Sequence, residues 1–210
     1  FEIGCGAGWL LVDFKKSGCT VKGCDFGISY IEYGRKQGLD INLGDAKVLQ
    51  REEGFADLII LSHVLEHFSD PFKEIELIKS LIKDNGYLYI EVPGVLDTYR
   101  AYGDFLKSIQ NAHFYYFTLG TLTNFMNEAG FTLVKGDETI RSLFQKVKPK
   151  HKRSSSYSEI LKYIQFHEKL RSFHFPSKVL YPKLLIAKLI KKIIGNESFD
   201  LIIKKLKRKK

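Results

Sequence analysis

Three glycines, Gly4, Gly6 and Gly8, alternate with Cys5 and Ala7 directly behind the apolar opening of the chain, FEIGCGAGW. Residues this small let a ligand approach the backbone closely, and a helix starting behind them offers unpaired N–H groups. Alone, such a loop is equally a tight turn. Two carboxylates shift the balance. Asp25 follows the loop by about twenty residues, where a carboxylate accepts both hydroxyls of a ribose. Asp45, in LGDAKVL, is placed behind the next apolar segment to accept from an adenine amino group. Either acid alone reads as a surface loop residue or a helix cap. Three such features behind three successive apolar segments read together as a nucleoside site. A dinucleotide loop runs G-x-G-x-x-G, and here Trp9 stands where its third glycine would be. A ligand with ribose and adenine but no phosphate fits better.

A second group lies in HVLEHF, where His63 and His67 are four residues apart with Glu66 between them. At helical spacing the two histidines share a face. Three readings stay open. An H-x-x-x-H pair can ligate a metal, but the H-E-x-x-H pattern is absent and no third ligand is evident, so no metal site is assigned. Glu66 and His67 can cap or brace the helix that begins near Asp70. His67 can serve as a general base near neutral pH. His113, in NAHFYYFT, is the second candidate base. The aromatics behind it, Phe114, Tyr115, Tyr116 and Phe117, wall an acceptor pocket or pack into the core. Arg100 either meets an anionic acceptor or is a solvated surface arginine.

The elements that must hold these residues follow from periodicity. Strands are expected at 1–4, 20–24, 40–43, 57–61, 87–92, 131–135 and 142–147. Helices are expected at 9–16, 29–37, 72–82 and 119–129. Ser29 with Glu32 has the capping-box spacing, Asp70-Pro71 reads as a cap followed by a first-position proline, and Asn85-Gly86 reads as a turn. The continuous run DLIIL at 57–61 suits a strand buried on both faces. Strands alternating with helices imply right-handed βαβ units and a parallel sheet, and the final helix, strand, strand implies an edge hairpin. Residues 1–148 form the α/β domain, 149–158 a basic, Ser-rich linker, and 159–210 a basic helical tail.

The set EIGCGAG, GCDFG, GDA, FADLIILSHVLEHFSDP and GYLYIEVPG resembles the class I S-adenosylmethionine-dependent methyltransferases, over residues 1 to about 140. The subgroup resembled is the broad bacterial one that acts on small molecules and on glycan or lipid-linked intermediates. The resemblance implies a Rossmann-like seven-stranded sheet, order 3-2-1-4-5-7-6, with strand 7 antiparallel. It implies that Glu2, Gly4, Cys5, Gly6 and Gly8 surround the amino-acid end of S-adenosylmethionine. Asp25 then takes the ribose, Phe26 lies beside the adenine, Asp45 and Ala46 bound it, and Ser62, His63 and Val64 close the pocket. Family members carry a substrate-covering segment ahead of the glycine loop, so the chain is expected to be N-terminally truncated. Methyl transfer to oxygen, with His67 or His113 as base and residues 97–110 shaping the acceptor pocket, is the expected chemistry. A non-catalytic cofactor-binding or membrane-attached module is the alternative. A nicotinamide oxidoreductase is disfavoured by Trp9.

Composition adds two constraints. The three cysteines, Cys5, Cys19 and Cys24, have no C-x-x-C spacing, which points to a reducing, cytoplasmic setting. Charge is divided: residues 141–210 hold 20 Lys and Arg against 4 Asp and Glu, while the first 140 hold 13 against 20. Within 179–194, Lys183, Lys188, Lys191 and Lys192 fall on one half of a helical wheel and Leu185, Ile186, Leu189, Ile190 and Ile193 on the other. With the basic cluster at 201–210, this suits an anionic membrane surface, such as the inner face of a cell membrane. Packing on the domain or on another subunit is the competing reading. Nucleic acid is the weakest, because the body is acidic and no aromatics interleave the basic cluster. The oligomeric state is not encoded in any pattern found. Co-sedimentation with anionic vesicles should be strong for the whole chain and lost on deleting residues 176–210; equal binding by both would remove the membrane reading.

Overall fold

The computed structural model describes residues 1–96, 109–148 and 157–172 of the chain. Strand and helix alternate as the apolar pattern requires. β1 (Glu2–Ile3) leads through the glycine loop into α1 (Trp9–Lys16). β2 (Gly23–Asp25) leads into α2 (Ile28–Lys36), and β3 (Ile41–Leu43) into a 3-10 segment, Ala46–Glu52. β4 (Ala56–Ser62) is followed by a short 3-10 turn, Leu65–His67, and then α3 (Pro71–Leu81). β5 (Ile82–Glu91), α4 (Leu119–Glu128) and the hairpin of β6 (Phe131–Lys135) and β7 (Arg141–Lys146) complete the sheet.

The sheet order is β3-β2-β1-β4-β5-β7-β6. β1 pairs in parallel with both β2 and β4, while β7 runs antiparallel to β5 and β6. This is the order and the antiparallel strand that the resemblance implied. The direction of winding reverses between β1 and β4, which opens a crevice beyond their carboxyl ends. Ile59, Ile60 and Leu61 are consecutive and buried, so β4 is covered on both faces. Ile75, Ile78 and Leu81 of α3 pack in the same core as Leu88, Ile90 and Phe144. A second cluster joins Cys5, Leu11, Ile31, Leu39 and Ile41 beneath the glycine loop.

Several boundaries moved for local reasons. β2 and β3 are shorter than their apolar runs. α2 starts at Ile28 on Gly27, with no side-chain cap, so Ser29 and Glu32 form no capping box. Gly27 N–H is instead taken by Asp25 Oδ1, which starts the helix one turn-forming residue earlier. Asn85-Gly86 is not a free turn: Asn85 adopts a left-handed φ of 61° inside β5. The pairing with β4 jumps there from Ala56↔Ile82 to Leu58↔Tyr87, a bulge that lets the strand begin directly at the end of α3. Asp70 caps α3 as expected, accepting from Lys73 N–H at 3.2 Å. Thr118 and Thr121 cap α4 reciprocally.

The chain divides into two units, one over Phe1–Asp97 and Ile109–Glu159 and the other over Thr98–Ser108 and Ile160–Lys210. α5 (Tyr157–Ser172) begins two residues before the expected tail. Along it, Tyr163 and Phe166 lay their rings against His167. Residues 149–156 of the linker expected at 149–158, residues 97–108 of the acceptor-pocket segment expected at 97–110, Arg100 among them, and the amphipathic and basic segments at 179–210 lie outside the described residues. Among the described residues no helix is long and apolar enough to cross a membrane. A cavity of about 420 Å³ lies toward the amino ends of β1 and β4, lined by Phe1, Phe14, Val21, Phe55 and Leu58. None of the residues proposed from sequence for the site lines it.

Ile78 is fully buried in the main core. Ile78→Ala should lower the unfolding free energy by about 2–5 kcal/mol, read as a shift in urea midpoint at unchanged slope.

Candidate functional site

Gly4, Gly6 and Gly8 all have left-handed backbone, with φ of 68°, 53° and 77°. They are not equivalent. A Cβ on Gly4 would come 2.5 Å from Val64 Cγ2, and one on Gly8 would come 2.6 Å from Leu39 Cδ1. Those two glycines are demanded by packing as well as by φ. A Cβ on Gly6 would meet nothing within 4 Å, so the middle of the loop faces open space. That is the cradle expected of a loop that admits a ligand against bare backbone.

Asp25 is tied to this loop. Its Oδ2 accepts from Gly6 N–H at 2.8 Å and its Oδ1 from Gly27 N–H at 2.7 Å. A carboxylate has about four lone-pair directions, so two remain for hydroxyl donors such as those of a ribose. Phe26 beside it is 73% exposed and presents an uncovered ring. Asp45 also accepts two hydrogen bonds, both from Lys47. It caps the 3-10 segment, accepting from Lys47 N–H at 2.9 Å and pairing with Lys47 Nζ at 3.1 Å. The cap leaves its side chain 36% exposed, while Ala46 is buried in the core. Trp9 is 67% exposed and stacks obliquely on Tyr33.

Burial sets the remaining groups of the loop. Glu2 is 5% exposed, and its Oε2 has no hydrogen-bond partner. Loss of hydration pushes its carboxyl up to about 7; the Phe1 ammonium opposes that and the Asp25 charge adds to it. Burial likewise pushes the Cys5 and Cys24 thiols up to about 12. Neither is a thiolate near neutral pH.

The second group sits beyond β4. Ser62 pairs with Glu91 of β5, and His63 N–H donates to the Glu91 carbonyl at 2.8 Å. His63 has a left-handed φ of 56°, and Val64 then packs on Gly4. The Leu65–His67 turn is only three residues long and excludes His63, so the two histidines share no helix face. Glu66 links them instead. Its side chain is 1% exposed, neither oxygen is hydrogen-bonded, and Oε1 lies 3.4 Å from His63 Nδ1 and 4.0 Å from His67 Nε2. Sequence reasoning gave Glu66 a bracing role. Its position between two histidines was legible, but its burial was not.

His67 Nδ1 lies 2.8 Å from the Ala112 carbonyl, so that nitrogen carries the proton. With Nε2 facing Glu66, both nitrogens point at protein, and the contacts favour the bracing reading of His67. His113 sets its ring edge-on to His67 with centroids 4.8 Å apart, and its Nδ1 is buried without a partner. Of the four aromatics behind it, Phe117 is buried, while Phe114 and Tyr115 stay exposed. The third ligand not evident in the sequence is thus His113: one donor atom each from Glu66, His67 and His113 lies within 4.8 Å of the others.

The profile of the family described as "Methyltransferase domain" matches residues 1–135. A ubiquinone biosynthesis O-methyltransferase of Coxiella burnetii is 33% identical over 94 residues, 42% of this chain and 40% of that protein. A protein of the same name from Histophilus somni is 32% identical over 99 residues, covering 42% of each. The match thus spans about two fifths of the length of these curated relatives. Among solved structures, a SAM-dependent methyltransferase from Archaeoglobus fulgidus superposes with TM-score 0.52 at 23% identity, covering 80% of this chain and 77% of that one. One from Methanosarcina mazei superposes with TM-score 0.54 at 18% identity, covering 70% and 91%. These likenesses establish the fold.

Glu2 makes stability depend on pH. Its folded value of about 7 lies above the ordinary 4.5, so its contribution is complete below 4.5 and is lost as pH rises through 7. Urea unfolding at pH 5 and pH 8 should show the wild type losing up to about 3 kcal/mol more than Glu2→Gln over that interval. Equal losses would remove the assignment.

Proposed function

The chain belongs to the Methyltransferase domain family, and we propose that it transfers the methyl group of S-adenosylmethionine to a hydroxyl of a small molecule. The observation that carries this is the loop at the β1–β4 switch point: Gly6 opens onto space, with the Asp25 carboxylate bonded to its amide. When bound, the cofactor supplies a sulfonium methyl group that is already activated, so the protein's part is positioning and proton handling.

In this reading, the two lone-pair directions left on Asp25 take the ribose hydroxyls. The exposed Phe26 ring covers the adenine. The amides and small side chains of residues 4–8 admit the amino-acid end, and the buried Glu2 carboxylate answers its ammonium. Glu2 has no hydrogen-bond partner at Oε2 in the protein, so a cation there satisfies an orphaned buried acceptor. Ser62, His63 and Val64 close the crevice from the β4 side, and the histidines beyond β4 face the acceptor. Transfer to oxygen is supported by the two O-methyltransferases above, whose names also point to a small-molecule acceptor. A glycan- or lipid-linked acceptor remains within the same chemistry. A basic tail at 179–210 would bring the enzyme to such an acceptor at the cytoplasmic face of an anionic membrane.

Titration calorimetry of the whole chain with S-adenosylmethionine should give saturable heat at one site. Asp25→Ala should raise the dissociation constant at least about tenfold, consistent with loss of a charge-assisted contact of about 1.5–3 kcal/mol. It should also lower stability, because two backbone amides lose their acceptor. Absence of binding by the wild type would overturn the proposal.

A further inference from the structure

We propose that Glu66, His67 and His113 form a binding site for a divalent transition-metal ion, with Zn²⁺ the ion best matched to their donors. The site stands apart from the methyl-transfer reading, because it clasps two loops together and takes no step in the reaction.

The carboxylate is the first support. The Glu66 side chain is 1% exposed, and neither oxygen has a hydrogen-bond partner. A carboxylate taken out of water is costly unless it is hydrogen-bonded, paired or bound to a metal. Its neighbouring nitrogens, His63 Nδ1 at 3.4 Å and His67 Nε2 at 4.0 Å, belong to imidazoles and form no hydrogen bond with it. A concentrated negative charge is therefore left without a donor.

The second support is what faces that charge. The Ala112 carbonyl holds His67 Nδ1 at 2.8 Å, so the lone pair of the ring lies on Nε2, toward Glu66 Oε1. A metal-ligating histidine is commonly fixed in this way, its other nitrogen donating to a backbone carbonyl. His113 Nδ1 is also buried without a partner. One ligand atom from each of the three side chains lies within 4.8 Å of the others. Acceptors gathered this closely repel one another, and a cation among them turns each repulsion into a bond.

The third support is the backbone. Phe114 N–H donates to the Glu66 carbonyl at 2.8 Å, and the Ala112 carbonyl takes the His67 ring. These two bonds fasten the residues on either side of His113 to the Leu65–His67 turn. His113 is thus delivered to Glu66 and His67 by contacts that need no ion. The ligand that no spacing in the sequence supplies is a product of the fold.

The donor set selects the ion. Two imidazole nitrogens and one carboxylate oxygen suit Zn²⁺ and its first-row neighbours, whereas Mg²⁺ and Ca²⁺ call for more oxygen. Zn²⁺ with three protein ligands keeps a fourth position for water. Ligand bonds of about 2.0–2.2 Å would draw the three atoms inward by roughly an ångström. His67 has room for that movement, since its side chain is 42% exposed. Once bound, the ion would lock the return of residues 110–114 over the end of β4.

Titration calorimetry of the whole, untagged, chelator-treated chain should show one Zn²⁺ bound with a dissociation constant of about 1 μM or tighter. Glu66→Gln and His113→Ala should each weaken binding at least about 100-fold, more than the loss of a neighbour that only orients a ligand. Zn²⁺ at about 100 times its dissociation constant should raise the thermal midpoint of the wild type by about 5–10 °C and move that of either variant by less than about 2 °C. Glu66→Gln preserves the shape of the side chain, so it reads the site independently of any folding defect in His113→Ala. X-ray absorption at the zinc edge of the wild type should show nitrogen and oxygen neighbours, with two imidazole rings. Sulfur among those neighbours would place the ion on a cysteine and overturn the assignment. Equal affinity in wild type and both variants, a preference for Mg²⁺ over Zn²⁺, or no Zn²⁺ uptake by the folded wild type would overturn it as well. Each of these results leaves the methyl-transfer reading standing, since S-adenosylmethionine binding is measured separately.

Discussion

One carboxylate holds three pieces of backbone in register. Asp25 ends β2, and its two oxygens take the amides of Gly6 in the glycine loop and Gly27 at the head of α2. Each bond is short and charge-assisted, the stronger class of protein hydrogen bond. The loop has left-handed backbone at three of its five positions and little side-chain packing of its own, so it has few other means of keeping its shape. The same side chain that would meet a ribose therefore also builds the surface on which the rest of the cofactor would lie. Pocket and contact are not separable at this residue.

The wider fold serves that arrangement. Consecutive buried residues in β4 place the strand at the centre of the sheet, and the reversal of winding between β1 and β4 leaves the crevice beyond their ends. Two buried carboxyls then flank the crevice from opposite strands. Glu2 comes up from β1 and Glu66 from the turn after β4, and both are nearly inaccessible to water. Burying an acid with no bonded partner at Oε2 of Glu2, or at either oxygen of Glu66, costs stability. A ligand that brings a hydrogen-bond donor or a cation can offset that cost, which is the usual logic of charged groups gathered at a site.

Much of the sheet was legible because its signals are local. The glycine loop, the DLIIL run, the Asp70-Pro71 cap and the FTLVK strand each carry a pattern that few other conformations satisfy. The departures arise where a distant group decides the outcome. Ser29 lost its cap to Asp25, and the Asn85-Gly86 turn was absorbed as a bulge once β5 paired with β4 from Ile82 onward. The site was legible in the same measure. Spacing put Asp25 at the loop, where its carboxylate bonds the Gly6 amide, but gave no sign that Lys47 would offer Asp45 both an amide and an ammonium. The meeting of His67 with His113 could not be read from sequence, because it depends on how residues 109–113 return over the end of β4. The burial of Glu66 was hidden for the same reason.

The buried thiol of Cys5 has a chemical consequence for such a site. A sulfonium is an alkylating agent, and a thiolate is among the best nucleophiles a protein can offer it. Cys5 lies within the loop, yet its proton is held far above physiological pH by burial, and its sulfur turns toward Gly23 of the neighbouring strand. The loop gains a compact, polarizable filler without gaining a competitor for the methyl group. Cys24, buried one strand over, is quenched in the same way. Cys19 alone is exposed, so oxidants and alkylating reagents would mark the chain on a surface turn and leave its loop chemically silent.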